Sequence, residues 1–490
     1  MAKRFFLWLA AVCILLCGGC SDLPDVSDPI STPEPPAVSD VPVGVQTLTL
    51  PYSHDDTLNP YAAVTEVNLN LASLLYDSLT VLDATQKPQL SLAAEVAVAD
   101  ATHLVVTLRQ DAVFSDGSAV TATDVERSFQ QAKNSANYKT LLANVSAAKG
   151  NDKKRQITFT LAAADPNGAA CLTFPVIKAS TLTDKAGEVP MGGGLYVAAG
   201  DRLTANPHAA VTPGFTTVSL RHLPNAATWY HALSNSEISY YFDDLSEGDL
   251  PRVTGASRPI PMNDLVFIGA NGYSGKLADP TVRRALSLLL DRTAVTKTAY
   301  ADYATPALQP WRVTAETQSA YGQDLDGAIA LLDEAGCKPK NGRRLELELI
   351  YCTDRADRGR VAEQVRTQFE SGGVTVTLVP LEEAEYRRRL ADGKFDLYLG
   401  EIRLTVDNSL RPLLMGGDAS YGINGGGAAA LAYRQYLSGA VTESDFLSAF
   451  GADMPYIPIC WRSGVAAFDR RLTAVTPTGF DTYFGFAEWE

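Results

Sequence analysis

The stretch 345-LELELIYCTDRADRGRVAEQVRTQFESGGVTVTLVPLEEAEYRRRLADGKFDLYL-399 decides the fold class. Leu345-Glu346-Leu347-Glu348-Leu349-Ile350 alternates apolar and charged side chains, the period of a strand. Arg358 to Ser371 then changes period, with Val361, Val365 and Phe369 four residues apart on one helical face. Gly372-Gly373 stops that helix, and Val374-Thr375-Val376-Thr377-Leu378-Val379 is a second β-rich run. Glu382 to Ala391 reads as a helix and Phe395 to Leu399 as a third strand. This β-α-β-α-β order predicts an α/β protein with a parallel sheet covered by helices. Ligands of such sheets sit beyond the carboxyl ends of the strands, which directs attention to 400–411.

Working outward, Asp279-Pro280 should open a helix, with Asp as N-cap and Pro at the first helical position. Val282, Ala285, Leu286 and Leu289 would form its apolar face. Asp326 to Ala335 is a further helix, ended by Gly336. A short strand at Thr47-Leu48-Thr49-Leu50 begins the folded region. With 490 residues, the chain is too long for a single compact core. The glycine clusters 192–194 and 425–427 lack dinucleotide spacing and read as turns or close backbone approaches.

The amino terminus has the layout of a targeting segment. Lys3 and Arg4 precede an apolar run, Phe5 to Cys17, too short to span a bilayer comfortably. Small residues Gly18-Gly19 lead into Cys20, and polar residues follow. The expectation is a lipoprotein signal peptide over 1–19, with Cys20 lipidated; an ordinary secretory signal cut nearby is the alternative. Ser21 to Val45 carries six prolines, five acids and no Lys or Arg, and is read as part of a tether over 20–45. Removing 1–19 takes away two cations and no acid, which moves the net charge from −15 to −17. That charge disfavours nucleic acid and anionic lipid as partners. Anchoring would depend on the acyl chains.

Motifs for catalysis are missing. The sequence has no G-x-x-x-x-G-K-S/T loop, no G-x-S-x-G elbow and no H-E-x-x-H. Its five histidines, at 54, 103, 208, 222 and 231, show no metal-ligand spacing. Cys171, Cys337, Cys352 and Cys460 are read as buried thiols, with Cys337–Cys352 the one pairing worth testing. The expectation is a binding protein without enzymatic activity, cofactor or metal ion.

The run 92-LAAEVAVADATHLVVTLRQDAVFSDGSAVTATDVERSF-129 contains a β-rich strand at Val105–Leu108 and an Asp116-Gly117 turn. Thr121 and Thr123 are candidate N-caps beside Asp124. Its Leu108-Arg109, Phe114, Asp116-Gly117, Ala122, Asp124 and Val125 resemble a signature of the extracellular solute-binding family of oligopeptide, dipeptide and nickel importers. Leu58-Asn59-Pro60, the Leu74–Leu79 helix, Asp279–Leu286, Gly372–Val376, Phe395-Asp396-Leu397 and Met454–Ile459 resemble further motifs of that family. Two departures stand out. Gly192-Gly193-Gly194-Leu195-Tyr196 lacks the family's proline, and Glu401 to Asn408 replaces its Trp and D-x-D-P segment.

The resemblance implies a two-lobed periplasmic-binding-protein-like fold of type II with an extra N-terminal α+β domain. Lobe I would comprise 46–65, 175–262 and 452–490, the extra domain 66–174, and lobe II 263–451. It implies a monomeric, lipid-anchored receptor that captures a small solute, a short peptide first, and passes it to ABC permease and ATPase subunits. Sensing without import, or a non-peptide solute, are the alternatives. For a peptide, the resemblance nominates Asp407 for the ammonium and Arg403 for the carboxylate or lobe closure. Tyr421 and Asn424 follow as cleft residues, with His54, Asn271 and Trp311 behind them.

Overall fold

The computed structural model describes residues 47–183, 188–253, 255–312 and 322–490; Cys20 and the segments read as signal and tether lie outside them. The 345–399 region folds in the expected order. Strand Leu345–Cys352 is followed by helix Ala356–Ser371, strand Val374–Leu381, helix Glu383–Ala391 and strand Leu397–Arg403. Leu345–Cys352 pairs in parallel with both other strands. Val361, Val365 and Phe369 are fully buried against them.

The sheet does not stay parallel. Leu397–Arg403 pairs antiparallel with Ala256–Ala270, which pairs antiparallel with Tyr456–Phe468, and Tyr240–Asp243 closes that edge. With Ala304–Pro306 on Tyr456–Phe468, the result is a seven-stranded mixed sheet. The reason lies in two long strands, of 15 and 13 residues, that pair across almost two hundred positions.

These two strands run through two separate cores. Leu265–Ala270 and Tyr456–Trp461 belong to the larger one, with Val282, Leu286, Val365 and Phe369. Ile260, Met262, Ala466 and Phe468 belong to the second, with Leu48, Tyr196, Val218 and Trp489. The second core lies on a four-stranded sheet in the order Leu48–Tyr52, Thr217–His222, Arg202–Ala205, Tyr196–Ala199. The register between the two long strands slips between Pro261 and Leu265, the interval where they pass from one core to the other. A bulge bends a strand and redirects side chains, which frees Met262 and Asn263 from the ladder.

A third core is the extra α+β layer. Ala93–Asp100, His103–Leu108, Gln156–Leu161 and Val145–Asn151 form an antiparallel sheet, packed by helix Ala122–Asn134 through Val125, Phe129 and Ala132. Thr121 caps that helix. Its side chain accepts from the Asp124 amide while Asp124 accepts from the Thr121 amide, a full capping box. Thr123 instead bonds Asp152. Asp279 caps helix Pro280–Leu288 as expected, and Asp324 caps Leu325–Glu334. The Leu74–Leu79 stretch departs from its helical reading: the helix ends at Leu75, and Tyr76 is already extended. Gly194 packs against this end: its amide donates to the Leu75 carbonyl at 3.1 Å, and an added Cβ would meet the Leu75 carbonyl carbon at 2.5 Å. Cys171, Cys337, Cys352 and Cys460 are buried free thiols.

Charges are buried where the sheet changes character. Arg462 and Asp264, 3% and 1% exposed, face each other at 3.4 Å. Arg403 adds two bonds to Asp264, at 2.6 and 2.9 Å, and reaches Asp244 at 2.8 Å. Arg462 also donates to Glu401 at 2.9 Å, and Glu401 pairs with Arg355 at 3.0 Å. Removing one member of such a buried set strands its partners. Asp264→Ala is expected to lower the unfolding free energy by about 3–5 kcal/mol, read as a drop in urea midpoint with an unchanged slope.

Candidate functional site

A cavity of about 570 Å³ opens where the register slips. That volume lies within the range of about 300–1,000 Å³ that holds small ligands. Met262 and Asn263 line it from the bulge, Arg403 to Val406 from the end of strand Leu397–Arg403, and Ser73, Tyr76 and Asp77 from the chain around the stopped helix. Asn137 and Tyr138 follow helix Ala122–Asn134, and Gly479 to Thr482 close the wall from the carboxyl-terminal segment. Of the strand-end segment 400–411, residues 403–406 line this cavity. The wall opposite it comes from sequence that carried no such expectation.

The electrostatics of this cavity are lopsided. Burial raises the Asp481 carboxyl above its ordinary value, although Ser73 Oγ donates to it at 2.7 Å and the Tyr483 amide at 3.0 Å. Burial likewise raises Asp77, against a weaker opposing pull from Arg109. Among the described residues, neither carboxylate has an ion-pair partner within salt-bridge distance. Arg403 is the cation of the lining. Burial alone would lower its pKa, but Asp264 and Asp244 raise it further, so it stays charged. Its Nε and Nη2 are occupied by those acids, and Nη1 makes no hydrogen bond among the described residues.

The segment 403–411 divides its contacts. Arg403 to Val406 face the cavity, whereas Asp407, Asn408 and Arg411 bond residues of the α+β layer. Asp407 is 6% exposed and outside the lining. Its carboxylate accepts from Thr405 Oγ1 and, at 3.7 Å, from Cys171 Sγ, while burial raises its pKa. Asn408 joins Gln86 and Asn263 in a ring of side-chain amides with bonds of 2.7, 3.2 and 3.1 Å. Arg411 donates to the Ala164 carbonyl at 3.2 Å.

The other nominated residues scatter. Trp311 is buried beside Tyr436 and Phe446, and its indole N–H donates to the Asn408 carbonyl at 2.9 Å, so it props the 405–411 turn from behind. Tyr421 packs on the larger core with its ring 6.3 Å from that of Tyr398. Asn424 is exposed and accepts from the Gly426 amide within its own turn. Asn271 binds the carbonyls of Gly393 and Phe395, at the far end of the long strand from Asn263. His54 lies on the surface against His222. None of these five lines the cavity.

Residues 87–416 match the model of the bacterial extracellular solute-binding proteins, family 5 middle region. The chain belongs to this family. A curated relative, Protein XP55 of Streptomyces lividans, is 26% identical over 331 residues, covering 61% of this chain and 60% of the relative's length. Among solved structures, the unliganded open form of the periplasmic murein tripeptide-binding protein MppA is similar with a TM-score of 0.75 at 18% identity, over 88% of this chain and 95% of that one. An ABC transporter substrate-binding protein from Sinorhizobium meliloti gives 0.72 at 18% identity, over 90% and 99%. At these identities the likeness is one of fold: two lobes of periplasmic-binding type II with the additional layer. No helix among the described residues is long and apolar enough to cross a membrane.

Glu66 stands next to this charge system. Its carboxyl is pushed up to about 8 by burial and by the charge of Asp244, against the opposing charge of Arg403. An unfolded Glu66 would release its proton near the ordinary glutamate value, so between that value and about 8 the folded state holds the extra proton. Its stability contribution is therefore full at low pH and declines as the pH rises through this interval. Glu66→Gln is expected to flatten the fall in melting temperature between about pH 5 and about pH 8, measured by calorimetry at both ends.

Proposed function

We propose that this chain is the receptor of an ABC importer, anchored through a lipid on Cys20, which holds a short peptide in the cavity and presents it to permease and ATPase subunits. It acts as a monomer, and its lobes, 46–65 with 175–262 and 452–490 against 263–451, close on the solute. The observation that carries this reading is the charge of the cavity: two carboxyls raised by burial and without an ion-pair partner among the described residues, in the same lining as one permanent cation. A peptide ammonium at Asp481 and Asp77 supplies the missing positive charge, and a peptide carboxylate can take the open Nη1 of Arg403. The main chain between them offers donors and acceptors to Asn263, Asn137 and Tyr138. Asp407, covered by Thr405 and Cys171, is assigned instead to holding the 405–411 turn.

Closure requires that solute bind the closed arrangement more tightly than the open one. Arg403 suits such a coupling, because one guanidinium contacts Asp244 in the lobe I assignment and Asp264 in lobe II while lining the cavity.

Full-length protein screened against a mixed di- to pentapeptide library by thermal shift should give stabilising hits. Asp481→Asn should then weaken the best hit by about tenfold or more, by calorimetry. A library without any hit removes the peptide assignment, and unchanged affinity in Asp481→Asn removes the ammonium site.

A further inference from the structure

A second cluster of polar side chains lies apart from the cavity. Leu48–Tyr52 and Thr217–His222 run parallel, with Tyr52 opposite His222. The chain leaving Tyr52 therefore emerges beside His222, although 168 positions separate His54 from it. The two rings sit with centroids 3.7 Å apart at 79°, and their Nδ1 atoms are 2.6 Å apart. The His54 backbone amide also donates to His222 Nδ1, at 3.2 Å. Asp55 completes the group. One carboxylate oxygen lies 3.4 Å from His54 Nε2 and the other 3.6 Å from His222 Nε2.

These separations are those of a metal site. A nitrogen, a second nitrogen and a carboxylate oxygen, one per residue, all lie within 4.8 Å of one another. Tetrahedral zinc has bonds of about 2.0–2.2 Å to such atoms, which sets ligand–ligand edges of about 3.3–3.6 Å. The nitrogen–oxygen distances of 3.4 and 3.6 Å match that edge length but run to the two different oxygens of Asp55, so a small rotation of these exposed side chains is needed for both nitrogens to share one oxygen. The side chains are 56%, 72% and 37% exposed for His54, Asp55 and His222, so the rings can rotate to open the short Nδ1 contact without disturbing the core. Two imidazoles select zinc, nickel or copper over magnesium or calcium, which prefer all-oxygen shells.

We infer that His54, Asp55 and His222 form a surface site for a divalent transition-metal ion, distinct from the solute cavity. Three protein ligands leave a fourth position for water or an external donor. A bound ion would tie the first strand of the described fold, an edge strand of its sheet, to Thr217–His222.

The test titrates zinc chloride into metal-stripped full-length protein by calorimetry. One site of micromolar affinity is expected, with no response to magnesium. His54→Ala and His222→Ala should each weaken it by about tenfold or more, while their metal-free melting temperatures stay at the wild-type value because the side chains are exposed. Lack of zinc binding to the wild type, or equal affinity in the His54→Ala/His222→Ala double variant, would overturn the assignment.

Discussion

The carboxylate of Asp264 is the constraint around which the molecule is organised. It is almost fully buried and lies against two arginines that come from different strands. An isolated ion in that position would be too costly to keep charged, so the strands that bring Arg403 and Arg462 must hold their register. The sheet is consequently fixed in the interval where its two long strands leave one core and enter the other. Burying further charges, Glu401 and Arg355, extends the same requirement toward helix Ala356–Ser371. A purely apolar seam would have packed as tightly but would have tolerated sliding.

From this anchor the cavity follows as a geometric result. The bulge that spares Met262 and Asn263 from pairing with Tyr456–Phe468 faces the emerging end of strand Leu397–Arg403, and Tyr76 turns extended where Gly194 packs on the helix end. Polar groups thus converge from five parts of the chain on a space that no single element encloses. Asp481 there takes hydroxyl and amide donors and has no ion-pair partner among the described residues. That is the arrangement of a pocket that receives its balancing charge from outside.

The sequence was most legible where structure is decided locally. The alternation at Leu345–Ile350, the four-residue spacing from Val361 to Phe369 and the caps at Thr121 and Asp279 all correspond to the elements formed. The strand-end rule pointed to 400–411, of which 403–406 line the cavity. What could not be read is long-range. Tyr456–Phe468 is buried at every position, so it has no alternation to reveal which strands flank it. Asp481 sits in a carboxyl-terminal segment without strands, and only tertiary packing brings it to Ser73. Asp407 occupied the position favoured by resemblance, yet Cys171 and Thr405 cover it, a contact across more than two hundred residues. Tyr76 and Asp77 were visible within a motif but assigned to a helix, because nothing beside them in sequence announces the distant glycine that packs on its end.

The amide ring of Gln86, Asn263 and Asn408 differs in kind from the arginine contacts nearby. It fastens the α+β layer to the bulge and to the 405–411 turn through neutral groups alone. Ionic screening weakens the exposed side of Arg403 with Asp244 but hardly touches neutral dipoles at hydrogen-bond range. Salt therefore acts on the exposed flank of Arg403 more than on this neutral ring. The ring keeps its hold on the bulge and on the 405–411 turn at ionic strengths that screen exposed ion pairs.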